Sequence, residues 1–503
     1  MIDPQDENFT VGIVGAGAMG QGIAQVCLTG GMNVILHDVQ EGAAENGLDT
    51  VLKRLKRLVE KGRLEESALA AIRGHAIAAS GMADFAACHL VVEAVFEDLD
   101  LKQRVFGEVE DAVSEDCVIA SNTSSILISS IARTSRNRGR IAGLHFFNPV
   151  PLMQLVEVVR GPETRLDVID FLVAAGKRMG RTPVVARDAP GFIVNLGGRA
   201  YTTEAMRILH ERIATPAQID AIMRDCGHFR MGPCELMDLT GVDVNYPVSR
   251  IIYHGYDDDP RLKTSFPHRS LMESGRFGRK VGKGNYAYDG DGKMIDPPSP
   301  DHVTDAAPAK EAVLLEPDEA LKGFAAEVGL RASATDDETS PILAAPLGED
   351  CTALAARTGC DFRRLVAVDL SADTAKRVTV MTAPGADKAA RDGIAARLAA
   401  SGRAVTAIKD SPGFIAQRVR AMIANLGCEM AQIGVATPDE IDLAMRLGLN
   451  YPLGPLQLTA DIGPKNVLTV LERMQAITGE DRYRPSQWLR RRALLNLDIA
   501  TPD

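Results

Sequence analysis

The sequence predicts an α/β fold: a doubly wound parallel sheet followed by an all-α domain, then a truncated, degenerate repeat of both. Three observations carry this. Short apolar runs alternate with helical patterns from Phe9 to Ala186, as strands and crossover helices do in a parallel sheet. Helical periodicity then runs from Ile193 to about Tyr253. Finally, Asp188-Ala189-Pro190-Gly191-Phe192-Ile193 returns as Asp410-Ser411-Pro412-Gly413-Phe414-Ile415, and Ala214-Thr215-Pro216 as Ala436-Thr437-Pro438, all at one offset of 222 residues. A constant offset marks an internal repeat without gaps.

Composition narrows the classes. A chain of 503 residues can hold two to four domains, and a net charge of −11 argues against general nucleic-acid affinity. Met1 to Thr10 is polar and acidic, and no stretch approaches the apolar length of a membrane span. The eight cysteines are scattered without a C-x-x-C pair, so neither a metal site nor a disulfide framework is expected, and a reduced cytoplasm fits.

Phe9 to Val14 reads as a strand, followed by Gly15-Ala16-Gly17-Ala18-Met19-Gly20, an apolar helix through Cys27, and a second strand at Val34 to Leu36 ending in His37-Asp38. Gly15 permits the tight turn, Gly17 the approach of a pyrophosphate, and Gly20 close helix–strand packing. Asp38 would accept hydrogen bonds from ribose hydroxyls and repel a 2′-phosphate, which favours NAD over NADP. A Rossmann-like dinucleotide domain follows from this setting. Ala43 to Lys61 reads as a helix carrying Lys53 and Lys56, either a solvated basic face or contacts for a phosphate-bearing substrate. Strands are expected at Leu90 to Ala94, Val118 to Ala120 and Thr182 to Ala186.

Proton-transfer chemistry gathers between Ser121 and Glu157. His145 ends the run Ile141-Ala142-Gly143-Leu144-His145-Phe146, and Glu157 interrupts the apolar run Leu155 to Val159. A lone carboxylate in a buried strand is costly without a partner, and a histidine oriented by such a carboxylate makes a general base. Taken singly, a satisfied core histidine and an incidental acid account for the same letters. Asn195, in an apolar helix entry, can bond a substrate oxygen or serve as a cap. Arg199 shares its helix face and can meet an anion or pair with a surface acid. Gly278 to Gly284 reads as a flexible basic turn containing Lys280.

In the repeat, His145 corresponds to Ala367, Glu157 to Thr379 and Asn195 to Gln417, and no glycine-rich loop follows Lys310. One active site per chain is expected. The expected division is 1–187 NAD-binding, 188–288 helical, 289–310 linker, 311–409 truncated α/β half-repeat, and 410–503 second helical domain.

The ordered set G-x-G-x-M-G, S-N-T-S-S, H-F-F-N-P-V-P, the glutamate twelve residues after the histidine, and P-G-F-I-V-N resembles the L-3-hydroxyacyl-CoA dehydrogenases over roughly residues 9 to 288. The two-copy build and the tail G-E-D-R-Y-R-P-S-Q-W-L-R-R-R-A-L-L resemble a longer bacterial subtype, which acts on 3-hydroxyadipyl- or 3-hydroxybutyryl-CoA in phenylacetate breakdown. The resemblance implies an NAD-dependent oxidoreductase of fatty-acid or related β-oxidation chemistry. It places the base on His145, its orienting carboxylate on Glu157, and substrate-oxygen contacts on Ser124 and Asn195. NAD contacts fall on Gly15, Gly17, Gly20, Asp38, Glu97, Lys102, Ser124, Asn148 and Lys280. Lys53 and Lys56 are implied for coenzyme A, and Arg199 is the candidate for a dicarboxylate's far end. Leu196 departs from the arginine of many relatives. Single-copy relatives dimerise through the helical domain, so an intrachain pseudo-dimer is expected, with a homodimer possible in addition. Rival readings are a dehydrogenase of a free hydroxy or sugar acid, and a non-catalytic NAD-binding protein; the intact set Ser124, His145, Glu157 and Asn195 opposes the second.

Overall fold

The computed structural model describes residues 1–333 and 335–503. Two compact units form, residues 1–196 with 433–449, and residues 197–432 with 450–503.

The first unit is built on eight strands: β1 (Thr10–Val14), β2 (Asn33–His37), β3 (Ala76–Ala78), β4 (Leu90–Glu93), β5 (Val118–Ser121), β6 (Ile141–Phe146), β7 (Leu155–Arg160) and β8 (Thr182–Arg187). Their order is β3-β2-β1-β4-β5-β6-β7-β8. Every neighbouring pair is parallel except β6 and β7. The segment joining those two is too short to hold a crossover helix, so the chain must turn back as a hairpin. Helices cover both faces, and the strands are accordingly almost wholly apolar. Val11, Ile13, Val34, Val92, Leu144 and Val158 belong to one buried core. The expected strands are present, with β3 in addition. Chain order reverses at β1, between β2 and β4, which opens a crevice at the carboxyl ends of these strands.

The second unit contains the shortened copy: β9 (Glu311–Leu314), β10 (Arg331–Ser333), β11 (Ile342–Ala344), β12 (Leu365–Val368), β13 (Arg377–Met381) and β14 (Ala404–Ile408), in the order β10-β9-β11-β12-β13-β14. Only β12 and β13 run antiparallel, repeating the β6–β7 hairpin. The edge strand β10 lies beside β9, where the first sheet places β1 beside β4, and no glycine loop accompanies it.

The repeat exchanges helices between its halves. In the first unit the helix Pro438–Leu449 packs on β7 and β8: Val185 N donates to Glu440 Oε1 at 3.0 Å and Arg187 N to Val435 O at 2.7 Å. In the second, Gln218 Nε2 donates to Ala407 O and Lys409 N to Ile213 O, both at 3.1 Å. These pairs map onto one another through the offset, taken in opposite directions. Residues 433–449, expected within the second helical domain, cluster in the fold with the first sheet.

One contact of the second unit has no counterpart under the offset. Arg418 meets Glu204 at 2.7 Å, and Arg482 meets the other carboxylate oxygen at 3.1 Å, all three buried. The corresponding positions are Leu196, for Arg418, and Leu426, for Glu204. Burial pushes the Glu204 carboxyl up, but the charges of Arg482 and Arg418 outweigh it and hold it below the usual carboxylate range. A depressed acid contributes stability that is complete above its ordinary value and is lost as pH falls. Removing one member of a buried ion pair costs about 3–5 kcal/mol. Glu204→Leu should therefore lower the thermal midpoint at neutral pH by roughly 5–10 °C, and an unchanged midpoint would contradict this. No helix among the described residues is long and apolar enough to cross a membrane.

Candidate active site

Antiparallel pairing sets His145 directly opposite Glu157, and the two side chains meet, Nδ1 to Oε2, at 2.6 Å. Glu157 is wholly buried and His145 5 % exposed. The second carboxylate oxygen, Oε1, accepts Ile193 N and Val194 N, each at 3.0 Å. Those amides open the helix Val194–His210, whose positive end favours an anion. They are aimed by two consecutive left-handed residues, Gly191 (φ 79°) and Phe192 (φ 48°). Asp188, just before them, caps Ile128 N and Ser129 N at 2.8 Å. The imidazole lies against the rings of Phe147 and Phe192, with centroids at 4.5 and 5.8 Å.

This arrangement assigns the proton. An ionised carboxylate only accepts, so His145 Nδ1 donates to Glu157 and Nε2 keeps its lone pair for a substrate proton. The copy retains the turn, with Gly413 at φ 74° and Phe414 at φ 51°, but has Ala367 and Thr379 in place of the dyad. Its hairpin register has also slipped by two residues, pairing Ala367 with Met381.

Asn195 links the helix entry behind the dyad to the loop that carries Ser124. Asn195 immediately follows the amide of Val194 and donates Nδ2–H to Ser124 O at 3.2 Å. The loop bearing Ser124 is tied to the end of β6 by Asn122, whose Oδ1 accepts Phe146 N at 2.8 Å. Asn122 was not singled out from the sequence; a loop asparagine shows no partner until the strand order is known.

The glycine loop fits a dinucleotide. Gly15 has φ 108°, and a Cβ there would stand 2.6 Å from Ala94 O. A Cβ at Gly20 would overlap the Gly15 carbonyl oxygen, whereas Gly17 faces open space, leaving bare backbone for a phosphate at the helix start. Asp38 ends the loop's neighbouring strand region and binds Ala16 N through Oδ2 at 2.7 Å and Gln40 N through Oδ1 at 3.0 Å. Glu97 and Lys102 lie by the Ser124 loop, with Lys102 buried between Glu93 and Glu97. Burial pushes Glu97 up, but bonds from Thr123, Ser125 and Ser124 and the charge of Lys102 prevail and hold it below the usual carboxylate range. Asn148 is exposed in the β6–β7 connection.

Other predicted residues have different surroundings. Lys53 and Lys56 are exposed on the helix Ala43–Glu60. In the second unit Lys280 pairs with Asp243 at 2.5 Å, and Gly278 and Gly284 pack on Asp238 so closely that a Cβ at either would overlap it. The expected flexible turn is therefore a docked hairpin. Arg199 is 7 % exposed, and its Nη1 donates to Ser249 Oγ at 2.7 Å and Asn245 Oδ1 at 3.2 Å. The alternative of a surface ion pair does not hold for so buried a side chain. His268 shares this region, pushed down to about 3 by burial and then by the charge of Arg199.

Comparison with known proteins identifies the family. The family described as 3-hydroxyacyl-CoA dehydrogenase, NAD binding domain, matches residues 10–189. The corresponding C-terminal domain matches twice, at 191–288 and 413–497. The 3-hydroxyadipyl-CoA dehydrogenase of Escherichia coli K12 is 36% identical over 97% of this chain and 98% of its own. A probable 3-hydroxybutyryl-CoA dehydrogenase of Deinococcus radiodurans is 37% identical over 55% of this chain and 99% of its own. The crystal structure of a 3-hydroxybutyryl-CoA dehydrogenase from Escherichia coli K12 superposes with a TM-score of 0.86 at 35% identity, covering 97% of this chain and 98% of that one.

Proposed function

Since the chain belongs to the 3-hydroxyacyl-CoA dehydrogenase family, we propose that it oxidises an L-3-hydroxyacyl-CoA to the 3-oxoacyl-CoA, using NAD. The observation that carries this reading is the His145–Glu157 pair anchored on the amides of Ile193 and Val194. NAD, when bound at the glycine loop, supplies the acceptor for the hydride leaving C3. His145 Nε2 takes the hydroxyl proton as the carbonyl forms. Glu157 fixes the imidazole tautomer and stabilises the imidazolium that results. Ser124 and Asn195 hold the reacting oxygens, so that C3 is presented in a reactive pose.

Lys53 and Lys56, one turn apart on an exposed helix face, suit the phosphates of coenzyme A. We place the enzyme in the cytoplasm, where its eight free cysteines stay reduced. The reciprocal helix exchange supports an intrachain counterpart of the dimer expected for single-copy relatives.

The acyl group is an open choice between two substrates. A dicarboxylate needs a cation at its far end, and Arg199 lies one turn beyond Asn195 on the same helix. Arg199→Leu should reduce kcat/KM for 3-hydroxyadipyl-CoA at least about tenfold more than for 3-hydroxybutyryl-CoA, the loss of one charged contact. Equal losses on the two substrates would make Arg199 a packing residue. Formation of NADH from each substrate, side by side, tests the reading as a whole. Turnover of free hydroxy acids without coenzyme A would favour the rival dehydrogenase.

A further inference from the structure

Beneath the loop that carries Ser124 lies a closed ring of polar contacts. Glu93, at the end of β4, is wholly buried. Its Oε1 receives Lys102 Nζ at 2.7 Å and Val95 N at 2.7 Å, and its Oε2 receives Ser121 Oγ at 2.6 Å. Ser121 Oγ in turn accepts Thr123 N at 3.1 Å. Thr123 Oγ1 donates to Glu97 Oε1 at 2.6 Å, and Glu97 Oε2 meets Lys102 at 3.3 Å, closing the circuit. The same Glu97 Oε1 also accepts Ser124 N and Ser125 N, both at 3.1 Å, and Ser125 Oγ at 2.8 Å. Three successive residues of the loop are thus fastened to one carboxylate, whose counter-charge is shared with Glu93.

Burying a lysine against a wholly buried carboxylate, with the exposed Glu97 as its second partner, is a poor way to stabilise a fold, since a well-packed apolar set does as well or better. The copy makes that comparison inside the same chain. Glu93 pairs with Ser121 across β4 and β5; the offset puts Leu315 and Leu343 at these positions, where Leu315 N donates to Leu343 O at 2.9 Å. The helix after β9 buries Leu321, Phe324 and Ala325, and the loop after β11 reads Ala345-Pro346-Leu347. This layer therefore forms without the ring, in the half that has also lost the dyad.

We propose that Glu93 is a positioning residue: through Lys102 and Ser121 it locks residues 121–125, and so fixes Ser124 relative to His145. The inference rests on the dehydrogenase reading for its consequence in catalysis, but not for its consequence in the loop. Two variants test it. Glu93→Gln removes the charge opposite Lys102, while Thr123→Val opens the ring at its far side without touching a buried charge. Each should lower kcat with NAD and 3-hydroxybutyryl-CoA by about 10- to 100-fold, the scale of a small misplacement of a reacting group. In a Ser124→Ala background either variant should add no more than about threefold, because the residue through which it acts is gone. Amide hydrogen exchange at residues 123–125 should quicken at least about tenfold in both, with the rest of the unit unchanged.

Unaltered exchange would overturn the proposal. So would a full repeat of the kcat loss in the Ser124→Ala background, which marks a merely structural residue. If the unsubstituted enzyme oxidised no 3-hydroxyacyl-CoA, the functional reading would fall, and the exchange measurement would still decide the ring.

Discussion

Replacement of His145 by alanine is expected to lower kcat by roughly 10³- to 10⁴-fold, the upper range for loss of a general base, while NADH affinity stays within about threefold. The two expectations separate because His145 lies near the end of β6, beside its antiparallel partner β7, whereas the glycine loop lies at β1. The carboxylate behind the imidazole is a poor substitute, since it is already engaged by two backbone amides. Kinetics with saturating NAD, together with direct titration of NADH, measure both quantities. Lost NADH binding with intact residual turnover would place the base elsewhere.

Replacement of Glu157 by glutamine should cost about 10²- to 10⁴-fold in kcat, as for other amides put in place of a histidine-orienting carboxylate. The amide oxygen can still accept Ile193 N and Val194 N, so the turn after Pro190 has its bonds. Its NH₂ then faces His145 Nδ1 and forces that nitrogen to accept. The proton moves to Nε2, which can no longer act as a base. Rates measured from slightly acidic to alkaline pH should stay low throughout, because raising the pH does not restore the tautomer. Recovery of activity at high pH would show that Glu157 acts only by its charge.

Much of this site could be read from the letters because its chemistry follows local rules. The glycine spacing and the acid just after β2 announce the cofactor loop, and a glutamate inside an apolar strand signals a buried partner. Its partner is the histidine across a hairpin, and the spacing of twelve residues suits a short antiparallel return. The repeat was visible because its offset never changes between Asp188 and Gly463. What was not legible depends on which strands become neighbours. Glu93 and Asn122 are ordinary strand-end and loop residues until β4, β5 and β6 align. The three-residue strand β3 is too short for a periodicity to declare itself. The exchange of the helix Pro438–Leu449 onto β7 and β8 is a tertiary choice that a repeat offset does not specify. The glycines around Lys280 suggest flexibility, but Gly278 and Gly284 are small because Asp238 leaves no room for a Cβ.

The decisive measurement compares the unsubstituted enzyme with His145→Ala for NADH formation from L-3-hydroxybutyryl-CoA and L-3-hydroxyadipyl-CoA. Turnover of at least one thioester by the former and a loss of roughly 10³-fold or more in the latter are expected. Absence of NADH from both substrates with the unsubstituted enzyme, or near-equal rates for the two proteins, would contradict this.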